Sequence, residues 1–506
     1  MIKETYTENG AVRGIAAADP RIISYKGVPF AAPPVGPLRW HAPVAAQSWE
    51  GVRDCYTFGP IAMQNIPGID DNDIYTREWN VDPEIPMSED CLYLNIWTPA
   101  KTKEERLPVY VWYYGGGLQV GNPAEMEFDG ERIARRGIVV VTVNYRVNVF
   151  GFLAHPELTE EAPEAPCNFG HLDQQFGLRW VKRNIAAFGG DPDNITIGGQ
   201  SAGGGSVLTQ LNCPANRGYI QKAIIESGIL TTTYSPHPTK SLEEVQKSGL
   251  AFFDALGVKT LKEARALPAE YIRDKCNAFG AFWGTCIDGV FQKDSYINSL
   301  YKGELLDVPL LLGHTDHEFF VQPPADTMDE LVSYAENKFG SRSGEFLKII
   351  HASDGIAEAL ENSKIIGMEI SVQAAMRFLE NCGSKSPHYY YEFGPEIPGW
   401  DDPGAFHSVD LWFFFETLAK CWRPFTGKHY DLARHMCNYW CNFIASGDPN
   451  GNDADGSAME YWPAFDSASR SCMTFFNMPE MVNCHKNPLI ELLIDTLADE
   501  ISQGNK

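Results

Sequence analysis

Ser201 is the residue of this chain whose surroundings best suit nucleophilic chemistry. It follows the β-branched residues 195–197 and lies two residues from both Gly199 and Gly203. This spacing is typical of a sharp strand-to-helix turn, where a Cβ at either glycine would collide with the returning chain. The turn would expose the hydroxyl beside a helix N-terminus, whose N–H groups favour developing negative charge. Because the chain has 45 glycines, the pattern alone is weak and needs partners.

A serine hydroxyl becomes a useful nucleophile only with a base within hydrogen-bond reach and a third group that orients the base. Two acids, Asp316 and Glu318, follow a buried-strand pattern at 308–313. His407 lies in a loop after the next such pattern, at 388–393. Active sites of α/β proteins form at the carboxyl ends of strands. The order serine, acid, histidine is that of α/β-hydrolases.

The rest of the chain predicts the sheet and helices that would position these groups. Near-continuous apolar runs at 107–114 and 137–145 are typical of strands buried on both faces of a mostly parallel sheet. Further strands are predicted at 21–34 (an antiparallel pair), 194–200, 223–228, 308–313 and 388–393. Amphipathic helices are predicted at 172–188, 240–256, 259–267, 327–339, 356–379, 432–445 and 489–501. We expect one large α/β domain over residues 1–506, with insertions.

Composition excludes several classes of partner. The 506 residues are 44% hydrophobic and carry a formal charge of −25, which would repel nucleic acid and anionic lipid. The sequence has no run of about 18 uninterrupted apolar residues, so it predicts no membrane-spanning helix. The first ten residues have no apolar segment like that of a secretory signal, so we expect a cytoplasmic protein. The 12 cysteines do not form a zinc-ligand pattern, so we expect buried reduced thiols and no metal.

Six ordered motifs resemble those of the type-B carboxylesterases, the family that also contains cholinesterases and bacterial para-nitrobenzyl esterases. The likeness covers almost the whole chain and implies an α/β-hydrolase fold with large insertions. The motifs are YKGVPFA at 25–31, SEDCLYLNIW at 88–97, NYR at 144–146, FGGDP at 188–192, GQSAG at 199–203 and GDPN at 447–450.

The resemblance implies a catalytic role for three residues. Ser201 would be the nucleophile, His407 the general base and then acid, and Glu318 the carboxylate that orients the histidine. The family acid is usually followed by glycine, whereas Phe319 follows it here, so Asp316 is kept as the rival acid. No cofactor is implied, because the acyl-enzyme route needs only side chains and water.

The resemblance also implies the groups around these three. Gly116, Gly117 and Ala202 would donate the N–H groups that stabilise the oxyanion. Ser227 and Asp410 match family positions that steady the catalytic groups without touching substrate.

Two departures from the family bear on the substrate and on one loop. Gln200 stands where cholinesterases carry a glutamate, which removes an anionic contact and favours neutral esters. Ala62 stands where many members have a cysteine that pairs with the equivalent of Cys91, although Cys55 is nearby. We therefore expect the irregular stretch 60–90 to be freer to move. Within it, Trp79 is interpreted as part of an aromatic wall.

Aromatic residues in two segments are candidates for a substrate pocket. One segment resembles the family's acyl pocket, and the other leads to His407; together they contain Phe279, Phe282, Trp283, Trp400 and Phe406. A pocket lined by these rings would suit short-to-medium or aromatic acyl groups.

The sequence leaves three functions open. The first is a hydrolase of small, neutral carboxylic esters, the second a feruloyl or acetyl esterase acting on plant carbohydrate, and the third a catalytically inactive relative used for adhesion. The intact Ser201, Glu318 and His407 favour a hydrolase over an inactive relative. No nucleic-acid or membrane partner is expected.

Overall fold

The structure is a computed structural model that describes residues 1–70, 72–79, 81–229, 234 and 239–504. In chain order, the strands within these residues are β1 Glu4–Thr7, β2 Gly10–Arg13, β3 Ile15–Ala16, β4 Ile23–Pro29, β5 Val52–Asp54, β6 Tyr93–Thr98, β7 Leu107–Tyr113, β8 Val139–Val143, β9 Gly190–Gln200, β10 Lys222–Glu226, β11 Lys240–Ser241, β12 Cys286–Ile287, β13 Leu310–Thr315, β14 Phe320–Val321, β15 Ile365–Ile366, β16 His388–Phe393, β17 Ser471–Phe475 and β18 Pro479–Asn483.

The α-helices of the same residues alternate with these strands over much of the chain. They are α1 Ile74–Glu78, α2 Glu131–Ala134, α3 Asn148–Phe152, α4 Pro156–Glu161, α5 Phe169–Asn184, α6 Ala202–Leu211, α7 Leu242–Leu256, α8 Leu261–Arg265, α9 Ala269–Phe279, α10 Tyr296–Lys302, α11 Met328–Phe339, α12 Ser343–Ile349, α13 Ile356–Ser363, α14 Gly367–Asn381, α15 Asp410–Phe414, α16 Gly427–Ser446 and α17 Pro488–Ser502. None of the described helices is long and apolar enough to cross a bilayer.

One large mixed sheet organises the molecule, in the order β3-β4-β6-β8-β7-β9-β10-β13-β16-β17-β18. Neighbouring strands from β8 through β17 run parallel, while the pairs at both edges are antiparallel. Every residue of β8 is buried, as expected for a Val-rich strand covered on both faces. The mostly parallel sheet flanked by helices confirms the architecture expected from the apolar runs.

The structure corrects three predicted elements. The helix predicted over 356–379 is two helices, α13 and α14, separated by β15, whose two isoleucines pair with β14. Apolar periodicity continues through this break, so it could not reveal a strand pairing with a distant segment. The early antiparallel pair lies between β4 and the upstream β3, rather than within 21–34. The stretch 60–90, expected to be irregular, contains α1, whose first turn is capped by the Asp73 side chain.

The cysteines are thiols, and most of them are buried. Cys91 is fully buried and has no bridge to Cys55.

The turn between β9 and α6 has the sharp geometry that its glycines predicted. Ser201 has φ 56° and ψ −127° and directly precedes the first residue of α6. A Cβ built on Gly199 would lie 2.4 Å from the carbonyl carbon of Gly203, and one on Gly203 would lie 2.1 Å from the Tyr113 carbonyl oxygen. Glycine at these two positions therefore lets the helix start directly against the neighbouring strand.

Gly203→Ala should destabilise the protein, because its Cβ would overlap backbone that cannot move away. We expect a loss of about 1–3 kcal/mol in the free energy of unfolding, measured by urea denaturation. Gly205→Ala, in the same helix, is the matched control. Its Cβ would meet nothing closer than 3.5 Å, and alanine favours a helix by roughly 0.5–1 kcal/mol. Equal stability of the two variants would contradict this account of the turn.

Candidate active site

A buried carboxylate and an imidazole meet beyond the carboxyl ends of the central strands. Glu318, just after β13, has no exposed side-chain surface, and its Oε2 accepts a hydrogen bond from Nδ1 of His407. Its Oε1 accepts from the Ser227 hydroxyl at 2.7 Å and from the Thr315 N–H at 2.9 Å. With Nδ1 donating, Nε2 is the ring nitrogen that carries the lone pair a general base needs.

Asp316, the rival acid, does not reach His407. Its carboxylate accepts a hydrogen bond from Nδ1 of His317 at 2.8 Å, and that histidine side chain is 54% exposed. Side chains at 316 and 318 thus diverge at the end of β13. The structure brings Glu318, and not Asp316, to the imidazole. His314 is buried against Thr315 and Tyr390 instead.

The strand-to-helix turn lies beside the imidazole. The Gln200 amide nitrogen is 3.3 Å from Nε2 of His407, and Gln200 directly precedes Ser201 in the chain. The Ser201 N–H donates to the Glu226 carbonyl at 2.9 Å, which anchors the turn to the end of β10. The elbow and the acid therefore come from the ends of neighbouring strands, and the loop after β16 brings the histidine to them.

The glycine-rich loop after β7 lies against the same turn. A Cβ built on Gly115 would be 3.2 Å from the Ser201 Cβ. Gly116 and Gly117 have φ 103° and 63° and are exposed, and their N–H groups have no acceptor within the described part of the chain. Ala202 begins α6, so its N–H also has no partner inside the helix. Free N–H groups beside a serine can stabilise an oxyanion.

Two aromatic rings flank His407. The Phe319 ring lies 4.4 Å from the imidazole, centroid to centroid, and the Tyr75 ring of α1 lies 6.3 Å away. Trp79 contacts both Tyr75 and Phe406, at 5.8 and 6.1 Å, as expected of an aromatic wall. The sequence did not indicate Tyr75, because its stretch showed no periodicity. For Phe319 the available signal was its place after the acid, where the family has glycine.

The other predicted pocket residues separate into two groups. Trp283 is buried and stacks on Phe279 at 6.3 Å. Gln119, two residues beyond Gly117, donates to the Trp283 carbonyl and accepts from its N–H at 3.4 Å, so this segment adjoins the glycine loop. Phe282 is 65% exposed. Trp400 is 73% exposed and lies over Arg77 rather than beside the imidazole.

Asp410 lies fully buried at the start of α15. Its Oδ2 accepts from the Tyr391 hydroxyl at 2.9 Å, and Oδ1 has no partner among the described residues. Burial, together with the nearby charge of Glu318, raises the pKa of Asp410 to about 7. The carboxyl is therefore protonated below neutral pH and only partly ionised near it, which limits the negative charge close to Glu318. Within the described ranges, no group of three or more His, Cys, Asp or Glu residues could hold a metal ion.

Known proteins share this architecture over almost the whole chain. The carboxylesterase family pattern matches residues 3–489. The para-nitrobenzyl esterase of Bacillus subtilis is 31% identical, covering 92% of this chain and 93% of its own. The fumonisin B1 esterase of Sphingopyxis macrogoltabida is 30% identical, covering 93% of this chain and 86% of its own.

Solved structures agree with these matches. A structure titled PNB esterase has a TM-score of 0.79 at 27% identity, covering 97% of this chain and 99% of that one. A carboxylesterase of Geobacillus stearothermophilus also has a TM-score of 0.79, at 29% identity, covering 97% of this chain and 100% of that one. The fold is therefore the α/β-hydrolase fold. This chain belongs to the carboxylesterase family and is a carboxylic-ester hydrolase.

Proposed function

We propose that this enzyme hydrolyses small, neutral carboxylic esters through an acyl-enzyme on Ser201. The buried Glu318–His407 hydrogen bond beside the elbow carries this proposal, because it directs Nε2, the other ring nitrogen, toward the elbow, where it can accept the serine proton. Ser201 then attacks the ester carbonyl, and His407 returns the proton to the departing alcohol. A water activated by the same nitrogen hydrolyses the acyl-enzyme.

Three N–H groups would stabilise the oxyanion in both steps. Gly116 and Gly117 present theirs on an exposed loop, and Ala202 adds the positive end of the α6 dipole. Preorganised donors of this kind gain strength where water is excluded, and loss of one typically costs on the order of 10²- to 10³-fold in rate.

The surroundings of the proposed site favour uncharged substrates. Gln200 brings an amide, not a carboxylate, to within 3.3 Å of the imidazole. Phe319, Tyr75 and Trp79 add apolar surface near His407, and Phe279, Phe282, Trp283 and Phe406 are proposed to line the acyl side. The fumonisin and para-nitrobenzyl relatives act on different esters by name, so both alkyl and benzyl esters should be tried.

The proposed substrates are small molecules. Its charge of −25 disfavours binding to nucleic acid or anionic membranes. We propose a single α/β-hydrolase domain, because one sheet contains strands from β3 to β18. The unbridged thiols support a cytoplasmic location.

Ser201→Ala should abolish hydrolysis of para-nitrophenyl acetate and butyrate, because residues 199–203 of the elbow carry no other hydroxyl. The measurement is release of nitrophenolate by equal amounts of the two folded proteins. Para-nitrobenzyl acetate and methyl ferulate extend the panel to benzyl alcohols and aromatic acyl groups. Turnover that is equal in wild type and Ser201→Ala would rule out the proposed nucleophile.

Glu318→Gln should lower kcat on the order of 10³- to 10⁴-fold, because the amide cannot favour the required histidine tautomer or stabilise imidazolium. Asp316→Asn is the matched control two residues away, and its kcat should stay near wild type because Asp316 pairs with His317. Both are measured with para-nitrophenyl acetate. The reverse ranking would transfer the role to Asp316.

Asp410→Asn should change the pH dependence of stability. The folded protein raises the pKa of Asp410 from 3.8 to about 7, so the folded state binds more protons between these values. Wild-type stability attributable to this group therefore falls as pH rises from about 4 to 7. The neutral variant should lack this decline in urea denaturation series. Parallel pH profiles would show that Asp410 does not titrate in this way.

A further inference from the structure

The loop that carries His407 has little regular structure of its own. Residues 394–409 connect β16 to α15 without helix or strand, apart from an isolated bridge between His317 and Phe406. A catalytic imidazole must hold its position closely, so something else must fix the loop. The side chain with the most polar contacts to its first half is Arg423, from a separate segment before α16.

Arg423 binds this loop with both ends of its guanidinium fork. Nη1 and Nη2 donate to the two carboxylate oxygens of Asp401 at 2.9 and 3.0 Å, and Nη1 also donates to the Pro398 carbonyl at 3.2 Å. The Arg423 side chain has no exposed surface. This arginine lowers the pKa of Asp401, so the carboxylate stays ionised. The middle of the loop is thereby held to a buried cation.

The same guanidinium reaches the residue next to the histidine. It lies over the Phe406 ring, with 5.1 Å between the guanidinium carbon and the ring centroid. Phe406 is 5% exposed, and its backbone pairs with His317 in the turn that also holds Glu318. Contacts at 398, 401 and 406 therefore restrict the loop on the approach to His407.

Arg423 also ties the loop to α1. Its Nε donates to Oε1 of Glu78 at 2.8 Å, and the Trp422 indole donates to the same oxygen at 2.9 Å. Arg77, the preceding residue of α1, pairs with Asp401 at 2.9 Å. Two cations and two anions thus balance inside one cluster, which joins α1 to the histidine loop. Helix α1, within the stretch expected to be freer to move, is thus bound to this loop by ion pairs.

Energetics favours a positioning role over a purely stabilising one. Buried ion pairs are often no more stabilising than apolar residues of similar size, because both charges lose their hydration. A buried guanidinium that binds two partners at fixed angles restricts their relative positions. Lysine carries a point charge on a single nitrogen and cannot reproduce this arrangement.

We propose that Arg423 is a positioning residue for His407, and that its contact with Glu78 makes α1 and the histidine loop one mechanical unit. The unit places the imidazole against the elbow and the Tyr75 ring against the imidazole. The proposal rests on the catalytic role proposed for His407.

Arg423→Lys tests this with a fluorophosphonate probe, which phosphonylates the active serine and releases fluoride. The amplitude of labelling, which is the fraction of protein labelled at completion, measures how many molecules have an intact site. The rate constant of labelling depends on the geometry between the serine and the histidine. We expect the labelling amplitude to stay near that of the wild type. The labelling rate constant and the kcat for para-nitrophenyl acetate should each fall about 10- to 100-fold, while KM changes little. Arg146→Lys is the matched control, because Arg146 is 4% exposed and makes a two-pronged pair with Asp173 elsewhere. It should lower the melting temperature but keep the wild-type rate constant.

A reduced amplitude with an unchanged rate constant would overturn the proposal, since it would show a structural role only. If Arg423→Lys yields no folded protein, Asp401→Asn decides, because it weakens the same contact from inside the loop and predicts the same slower labelling. An unchanged rate constant in Asp401→Asn would then overturn the proposal. Failure of the wild type to label, or labelling of Ser201→Ala, would instead refute the proposed catalytic serine.

Discussion

Burial of the Glu318 carboxylate is the constraint on which the rest of the site depends. A charge removed from water is costly unless hydrogen bonds and an opposite charge replace its hydration. Three donors converge on it, from His407, Ser227 and Thr315. The arrangement sets the histidine tautomer as a consequence. The raised pKa of Asp410 follows from the same constraint, because burial and the nearby Glu318 carboxylate make a second anion there unfavourable.

Three residues around the site have strained backbone conformations. Ser201, Ser227 and Phe319 have φ values of 56°, 45° and 45°, in the left-handed region that non-glycine residues rarely adopt. Each conformation costs on the order of 1–3 kcal/mol and persists only when the surroundings enforce it. All three residues lie just beyond the carboxyl ends of β9, β10 and β13, which are adjacent in the sheet. The paired strands supply the rigidity that holds the three turns.

The two sides of the site are held by different means. The elbow and the acid are attached directly to strands, whereas His407 lies in a long loop. A loop gains precision only from tertiary contacts, which explains why ion pairs and aromatic rings concentrate around it. Arg423 and Glu78 lie 345 residues apart in sequence, so the contact that stabilises this loop joins distant segments of the chain.

The sequence by itself determined the local features of the protein. The glycines around Ser201 predicted the elbow because steric limits act between near neighbours, and apolar runs predicted most central strands because burial on both faces leaves a local signature. Motif resemblance added the family and the order of the three proposed catalytic residues. Only the tertiary structure showed that Glu318 and not Asp316 contacts His407, divided the predicted helix over 356–379, and brought Tyr75, Phe319 and Arg423 close to the histidine or its loop. These outcomes depend on contacts between segments far apart in sequence, and neither residue spacing nor periodicity records such contacts.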